Sequence, residues 1–268
     1  MQRVPNAIQF TTQSPDDLVR LYSYPAAPES PWFRVNFVTS IDGAATVDGR
    51  SGALGSPADR AIFAILRDLA DVVLVGAGTA RAENYGGART DAHRRLRLHH
   101  HGLGGDPGGA PPPIAVVTGR AELDPTSRLF TDTLRPPLIL TTAAAPEDRK
   151  RALADAGAEV IEAGETRVSV TRVRTELGAR GMLRVLCEGG PSLFGDLISA
   201  ELVDELCLTA SPLLIGGTAS RIAVSPNALP TAMALRHALL DDDGTILTRW
   251  ERAHTAGSPT SPTHRPPG

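Results

Sequence analysis

Apolar residues along this chain fall into short buried-type runs that alternate with helical stripes. Residues 32–40 (WFRVNFVTS) place Val, Phe and Thr in a partly alternating pattern that predicts a strand. Across 57–70 (PADRAIFAILRDLA), Ala61, Ile62, Ile65, Leu66 and Leu69 recur at helical spacing, with Ser56 as N-cap and Pro57 in the first turn. VVLVG (72–76), IAVVT (114–118) and LILTT (138–142) read as buried parallel strands. A helix over 146–156 stops at Gly157, and EVIEA follows as another strand. A helix at 169–180 leads to the strand LRVLC (183–187), and after Gly189-Gly190 the segment PSLFGDLISAEL is amphipathic and helical. The last part changes character: DELCLTASPLLI (204–215), AMALRHALL and TILTRW, the last two joined by Asp-Asp-Asp-Gly, read as antiparallel strands.

This order predicts one α/β domain with a mostly parallel central sheet, an antiparallel C-terminal edge and helices on both faces. The ordered core is expected to begin at Trp32, giving a domain over 32–253. Residues 1–31 then form an N-terminal extension with one short helix at 14–22, capped by Ser14 and opened by Pro15. Residues 86–113, rich in Gly, Pro and His, read as a long mobile loop, and 254–268 as a disordered Ser/Thr/Pro tail.

Composition narrows the function classes. A net charge of −3 argues against a general nucleic-acid surface. Two cysteines, Cys187 and Cys207, exclude a disulfide scaffold and any site needing three thiolate ligands. Only 4% of residues are aromatic, too few for a large stacking platform. No apolar run approaches the 18 or so residues of a membrane span, and the first 30 residues lack the pattern of a signal peptide. A soluble cytoplasmic protein is expected, with neither membrane nor nucleic acid as partner. Glycine (26) and proline (22) make up about 18% of the chain, above the roughly 12% average, which points to many turns.

Ligands of open α/β sheets bind beyond the carboxyl ends of the strands. Glu188-Gly189-Gly190-Pro191-Ser192 follows one strand and opens a helix, where backbone N–H groups can approach a pyrophosphate; the alternative is that the glycines serve only a tight turn. Gly76-Ala77-Gly78-Thr79 has the same ambiguity, since Thr79 either binds phosphate or caps a helix. Arg120 either pairs with a 2′-phosphate, favouring NADP over NAD, or is a solvated turn residue. His99-His100-His101 cannot all face one ion and read as a solvated run, so no metal site is expected. The cluster Arg94, Arg95 and Arg97 reads as a surface loop, and Cys187 as a small buried hydrophobe.

The blocks VNFVTSIDGAAT, RSGALGSPADRAIFAILRDLADVVLVGAGTARAE and VLCEGGPSLFGDLISAELVDELCLTASPLLIGG, in this order, resemble the reductase domain of bacterial riboflavin biosynthesis over roughly residues 32–250. The resemblance implies a dihydrofolate-reductase-like fold, a homodimer, and NADPH-dependent reduction of the ribose of an aminouracil ribosyl phosphate. It places Thr79 and Glu83 against the cofactor; Val38, Gly76, Gly78, Thr118 and Arg120, at or near strand ends, are further candidate cofactor contacts. Gly190 through Asp196, with Pro191, Ser192, Leu193 and Phe194 among them, match the pyrophosphate-binding turn and helix start, and Gly189 beside them is a further candidate cofactor contact. Ser51, Arg67, Arg89 and Glu188 match substrate contacts, Arg67 as a phosphate partner. The chemistry needs a proton donor near the ring oxygen or amine nitrogen. Asp42 in Ser-Ile-Asp-Gly and Glu188 are the candidate catalytic carboxylates, unless Asp42 only caps a turn and Glu188 only binds a ribose hydroxyl.

The sequence departs from that family at Glu83-Asn84-Tyr85-Gly86-Gly87, where Asp-Asp-Pro-x-Leu is usual, and in the long segment that follows. No His-x-Glu with Pro-Cys-x-x-Cys is present to hold a deaminase zinc, so another polypeptide is expected to deaminate. Two alternatives remain open at this level. One is the same fold and cofactor acting on a pterin, folate or other heterocycle; the other is a non-catalytic NADPH-binding sensor.

Overall fold

The computed structural model describes residues 8–253. Its ten strands are β1 (Ile8–Gln9), β2 (Trp32–Ser40), β3 (Val72–Gly76), β4 (Ile114–Val117), β5 (Leu138–Thr141), β6 (Glu159–Glu162), β7 (Arg184–Cys187), β8 (Glu205–Ser211), β9 (Met233–Leu240) and β10 (Ile246–Arg252). They form one sheet in the order β1-β9-β10-β8-β2-β7-β3-β4-β5-β6. Every neighbouring pair from β8 to β6 is parallel. Only β10 runs against its neighbours, β8 and β9.

Alternation along β3 shows how the sheet is covered. Val73 and Val75 point into one apolar layer with Ile62, Leu66 and Leu69; Val72 and Leu74 point into the other with Val173, Leu193 and Leu197. The first layer is roofed by α1 (Pro15–Leu21), α2 (Pro57–Leu69), α4 (Ala92–His100) and α6 (Glu147–Asp155), the second by α7 (Val170–Ala179) and α8 (Pro191–Ser199). Two shorter helices, α3 (Ala77–Ala82) and α5 (Arg128–Thr131), complete the set. The α/β architecture, the mostly parallel sheet and the helices on both faces are as the sequence predicts.

Three expectations change. The strand over 204–215 is antiparallel only to β10; against β2 it is parallel, because α8 carries the chain back across the sheet after β7. The 86–113 segment is more than a loop. Asp91 caps α4, whose Arg95 and Leu98 are buried one turn apart beside α2. Arg94, read as solvated, donates to the buried Asp68 at 2.8 Å.

The N-terminal stretch is also part of the fold. Ser14 and Asp17 form a reciprocal capping box on α1, and Leu18, Val19, Tyr22 and Tyr24 are buried. Arg249 on β10 donates to the Leu21 and Ser23 carbonyls, and the Arg34 guanidinium lies 3.9 Å from the Tyr24 ring centre. The 254–268 tail lies outside the described residues.

Candidate active site

Strands β2, β3, β4 and β7 are parallel, so their carboxyl ends share one edge of the sheet. Two cavities open there, on either side of the turn from β7 into α8. The larger, about 470 Å³, reaches Val38 of β2, Thr79 and Ala82 of α3, Glu188 and Gly190. The smaller, about 330 Å³, is walled by Gly76 and Gly78 on one side, Thr118 and Arg120 on another, and Ser192 and Leu193 of α8.

Glu188 organises the larger cavity. Its buried carboxylate accepts from Arg67 Nε and Nη2, each at 2.7 Å, and from the Tyr85 hydroxyl at 2.6 Å. Burial disfavours the Arg67 cation, but the facing carboxylate outweighs it and raises its pKa. Burial and then the charge of Glu188 push the Tyr85 phenol well above its ordinary value, so Tyr85 is a hydrogen-bond donor at neutral pH. α2 delivers Arg67 to this point because Ile62, Ile65, Leu66 and Leu69 hold its other face against the sheet. Arg67 therefore meets Glu188 directly, and its fork is already occupied by a carboxylate.

Across the cavity, Ser51 donates to Glu83 through both its backbone N–H (2.8 Å) and its hydroxyl (2.9 Å). Arg89 and Arg128 stand at the mouth and both pair with Asp132.

The turn between the cavities requires its glycines. Gly189 has φ +93°, and a Cβ there would run into the Phe37 ring; a Cβ on Gly190 would land on the Thr79 hydroxyl. The Gly76 N–H donates to the Gly189 carbonyl at 2.7 Å, tying the β3 and β7 ends together. α8 begins with no side chain capping it. Its first N–H groups, at Ser192 and Leu193, border the smaller cavity, and Cβ atoms at Gly78 or Gly119 would meet nothing within 4 Å. An uncapped helix start beside open glycine positions fits a pyrophosphate.

Most residues singled out in the sequence thus converge. Val38, Ser51, Arg67, Thr79, Glu83 and Arg89 line the larger cavity, as do Glu188, Gly190 and Pro191. Gly76, Gly78, Thr118, Arg120, Ser192 and Leu193 line the smaller.

Asp42, Gly189 and Phe194 line neither. Asp42 is exposed; its carboxylate accepts from the Ser40 hydroxyl and from the N–H groups of Ile215 and Gly216. Ser40 and Gly216 hold its carboxyl below the ordinary aspartate value, and its hydrogen bonds brace a turn. Phe194 is buried and stacks on Phe37 at 5.4 Å, behind the cavity wall.

Tyr85, Asp59 and Phe63 line the larger cavity and were not singled out in the sequence. The available signal was spacing: Asp59, Phe63 and Arg67 recur every four residues on one helix. His99, His100 and His101 are exposed at the end of α4, and among the described residues no three His, Cys, Asp or Glu side chains gather as a metal site. Among those residues no helix is long and apolar enough to cross a membrane.

A mostly parallel sheet with a hairpin edge, and a glycine turn between two cavities at its carboxyl ends, defines a dihydrofolate-reductase-like oxidoreductase. The family described as the RibD C-terminal domain matches residues 31–247, and the chain belongs to it. A 2,5-diamino-6-ribosylamino-4(3H)-pyrimidinone 5′-phosphate reductase from Archaeoglobus fulgidus is 32% identical over 188 residues, which cover 70% of this chain and 83% of that protein. The riboflavin biosynthesis protein RibD of Bacillus amyloliquefaciens is 27% identical over 215 residues, 80% of this chain; the chain spans about half of that protein, 54%. Among solved structures, a pyrimidine reductase-like protein from Corynebacterium diphtheriae superposes with a TM-score of 0.76 at 28% identity, covering 88% of this chain and 99% of that one.

Proposed function

We propose that the protein reduces the ribose of a ribosylaminopyrimidine 5′-phosphate to the ribityl form with NADPH, as a cytoplasmic homodimer. The observation that carries this reading is the clamped carboxylate: Glu188, held by Arg67 and Tyr85, lies within the same cavity as the Thr79–Gly190 turn. A sugar carbon placed between them sits beside both an acceptor carboxylate and a nucleotide-type turn.

Thr79, Gly190 and the N–H groups of Ser192 and Leu193 would hold the dinucleotide, with Arg120 at the rim of the smaller cavity facing a 2′-phosphate. When bound, NADPH supplies the hydride that C1′ receives. The protein's own groups then orient the sugar. Ser51, fixed by Glu83, and the arginines at the mouth take the phosphate end. Glu188 faces the C1′ end, where it accepts from a sugar hydroxyl and stabilises positive charge that develops as the C1′–O4′ bond breaks, O4′ leaving as a hydroxyl with a proton from water. Arg67 and Tyr85 fix its orientation before substrate arrives, which removes a reorganisation cost from the reaction.

Substrate-dependent NADPH oxidation tests the reading with three compounds: the phosphorylated pyrimidine riboside, its dephosphorylated form and dihydrofolate. The phosphorylated compound is expected to be turned over at least tenfold faster than the others. Equal rates with and without phosphate would overturn the assignment, and faster turnover of dihydrofolate would favour a folate reductase. Tight NADPH binding with no turnover would identify a sensor.

A further inference from the structure

Helix α2 presents one unbroken face to the larger cavity. Asp59, Phe63 and Arg67 lie at i, i+4 and i+8, and all three line it. At 1.5 Å per residue, Asp59 and Arg67 are about 12 Å apart along the helix axis. One end of the face is electrostatically complete, because Arg67 is spent on Glu188 and rests 4.3 Å from the Phe63 ring centre.

The other end is not complete. Asp59 forms no salt bridge among the described residues. Its nearest cation, Arg60, turns Nη1 to the Gly55 carbonyl at 2.9 Å instead. The Asp59 backbone N–H is taken by Ser56 in the helix cap, so the backbone is fixed while the carboxylate remains available to the cavity. Burial pushes this carboxyl above its ordinary value, the Thr209 hydroxyl opposing the shift. A partly buried carboxylate without a cation leaves acceptor capacity that a ligand's N–H groups can fill.

The reading above leaves open what stands at position 2 of the pyrimidine ring, and this inference rests on that reading. We propose that Asp59 is the residue that determines ring specificity: its carboxylate accepts from N3–H and the 2-amino group of a 2-amino-4-pyrimidinone, and so selects that ring over a uracil. The two forms present different edges. The 2-amino ring offers two parallel donors, which a carboxylate matches bidentately. Uracil offers N3–H beside the O2 acceptor, so a carboxylate gains one hydrogen bond and sets oxygen against oxygen. Sites built around such polar matching reject the mismatched ligand far more strongly than apolar pockets reject an extra methylene. Phe63, between Asp59 and Arg67 on the same face, gives the ring an apolar surface to lie on.

The test measures kcat/KM for the 2-amino and the uracil forms of the ribosylaminopyrimidine phosphate with the wild-type protein, Asp59→Asn and Asp59→Ala. The wild type is expected to favour the 2-amino form by at least about tenfold. In Asp59→Asn the amide offers one acceptor and one donor, which matches uracil, and the preference is expected to reverse. Asp59→Ala is expected to lose the preference without gaining uracil activity. NADPH affinity, measured on each variant, is expected to stay within twofold and shows that the fold is intact. If the wild type turns over both rings and the ratio stays within twofold in Asp59→Asn, the assignment of Asp59 is overturned while the reductase reading stands. If the wild type turns over neither ring, the reductase reading itself has failed, and this assignment with it.

Discussion

The guanidinium of Arg95 donates to the main-chain carbonyl of Arg67 at 3.1 Å, and to those of Asp68 and Ala70 at 2.8 and 2.9 Å. The Arg67 carbonyl also accepts the Ala70 N–H at 3.4 Å, while those of Asp68 and Ala70 lie past the last helical bond and rely on the side chain. Arg95 Nε reaches Ala110 at 2.6 Å, so one side chain joins both arms of the 86–113 segment to the end of the helix that carries the cavity arginine. The segment that reads as a mobile loop therefore caps the end of α2. Replacing Arg95 with Met keeps the stem but strands these acceptors, at about 1–3 kcal/mol for each one that water does not reach. We expect urea unfolding to show a loss of about 3 kcal/mol. KM for the phosphorylated substrate should rise severalfold while kcat changes little, since Arg67 is displaced rather than removed. A loss below about 1 kcal/mol would show that the contact is dispensable.

Gly190→Ala tests the nucleotide turn. The new methyl would occupy the space of the Thr79 hydroxyl and force the β7–α8 turn away from α3. NADPH affinity, read by fluorescence titration, is expected to fall at least tenfold, and Gly190→Asp to fall further because a carboxylate would face the pyrophosphate. An unchanged Kd would displace the cofactor from this turn.

Tyr85→Phe removes one of three donors to Glu188 and leaves the ring in place. Loss of a hydrogen bond to a charged group is worth about 1.5–3 kcal/mol, so kcat/KM is expected to drop roughly 10- to 100-fold with NADPH affinity unchanged. Arg67→Lys should cost at least as much, because an ammonium cannot reproduce the two parallel bonds to Glu188. Steady-state kinetics on both variants decides whether Glu188 is held for the chemistry.

How much of this was legible in the sequence depends on which physical signal each part obeys. Strands such as VVLVG have sharp edges because burial on both faces demands a continuous apolar run, and β3 begins and ends where predicted. Glycine turns were legible because few residues fit where backbone must approach backbone, as at Gly190. Arg95 was not legible. Within a string of charged residues, nothing local marks the one arginine whose partners are carbonyls on another helix. Asp42 is the opposite case: its motif sits at a strand end, but only the fold shows that its carboxylate accepts from the Ile215 and Gly216 N–H groups. Tyr85 fell in the stretch where the sequence leaves the family pattern, and its role depends on a carboxylate more than a hundred residues away.

Stability is expected to depend on pH through His237. Burial, reinforced by the nearby Arg249, lowers its pKa to about 4, while the unfolded chain titrates near 6.5. Its ring is buried edge-on to Tyr22 at 4.9 Å, and Nε2 has no hydrogen-bond partner among the described residues. The neutral form is favoured in the folded state, so the unfolded chain binds the extra proton between these values. The contribution is full above about pH 6.5 and is lost as pH falls toward 4, at most about 3 kcal/mol in total. Melting temperature should drop across that window, and His237→Phe should flatten the drop. An equally steep profile in the variant would assign the dependence to other groups.

The sheet order has a consequence for how the chain is made. β10 lies between β8 and β9, and β1 pairs only with β9. On a ribosome, the parallel block from β2 to β8 is complete before Ile246 exists, and its β8 edge waits bare until Arg252 has been added. β1 likewise waits for β9, whose residues 233–240 are added only shortly before β10. During that interval α1, with Leu18, Val19 and Tyr22 along it, lacks the Arg249 side chain that fastens its end. A chain halted before residue 246 would display an unpaired strand edge and a loose apolar helix together, the combination that invites association with other nascent chains.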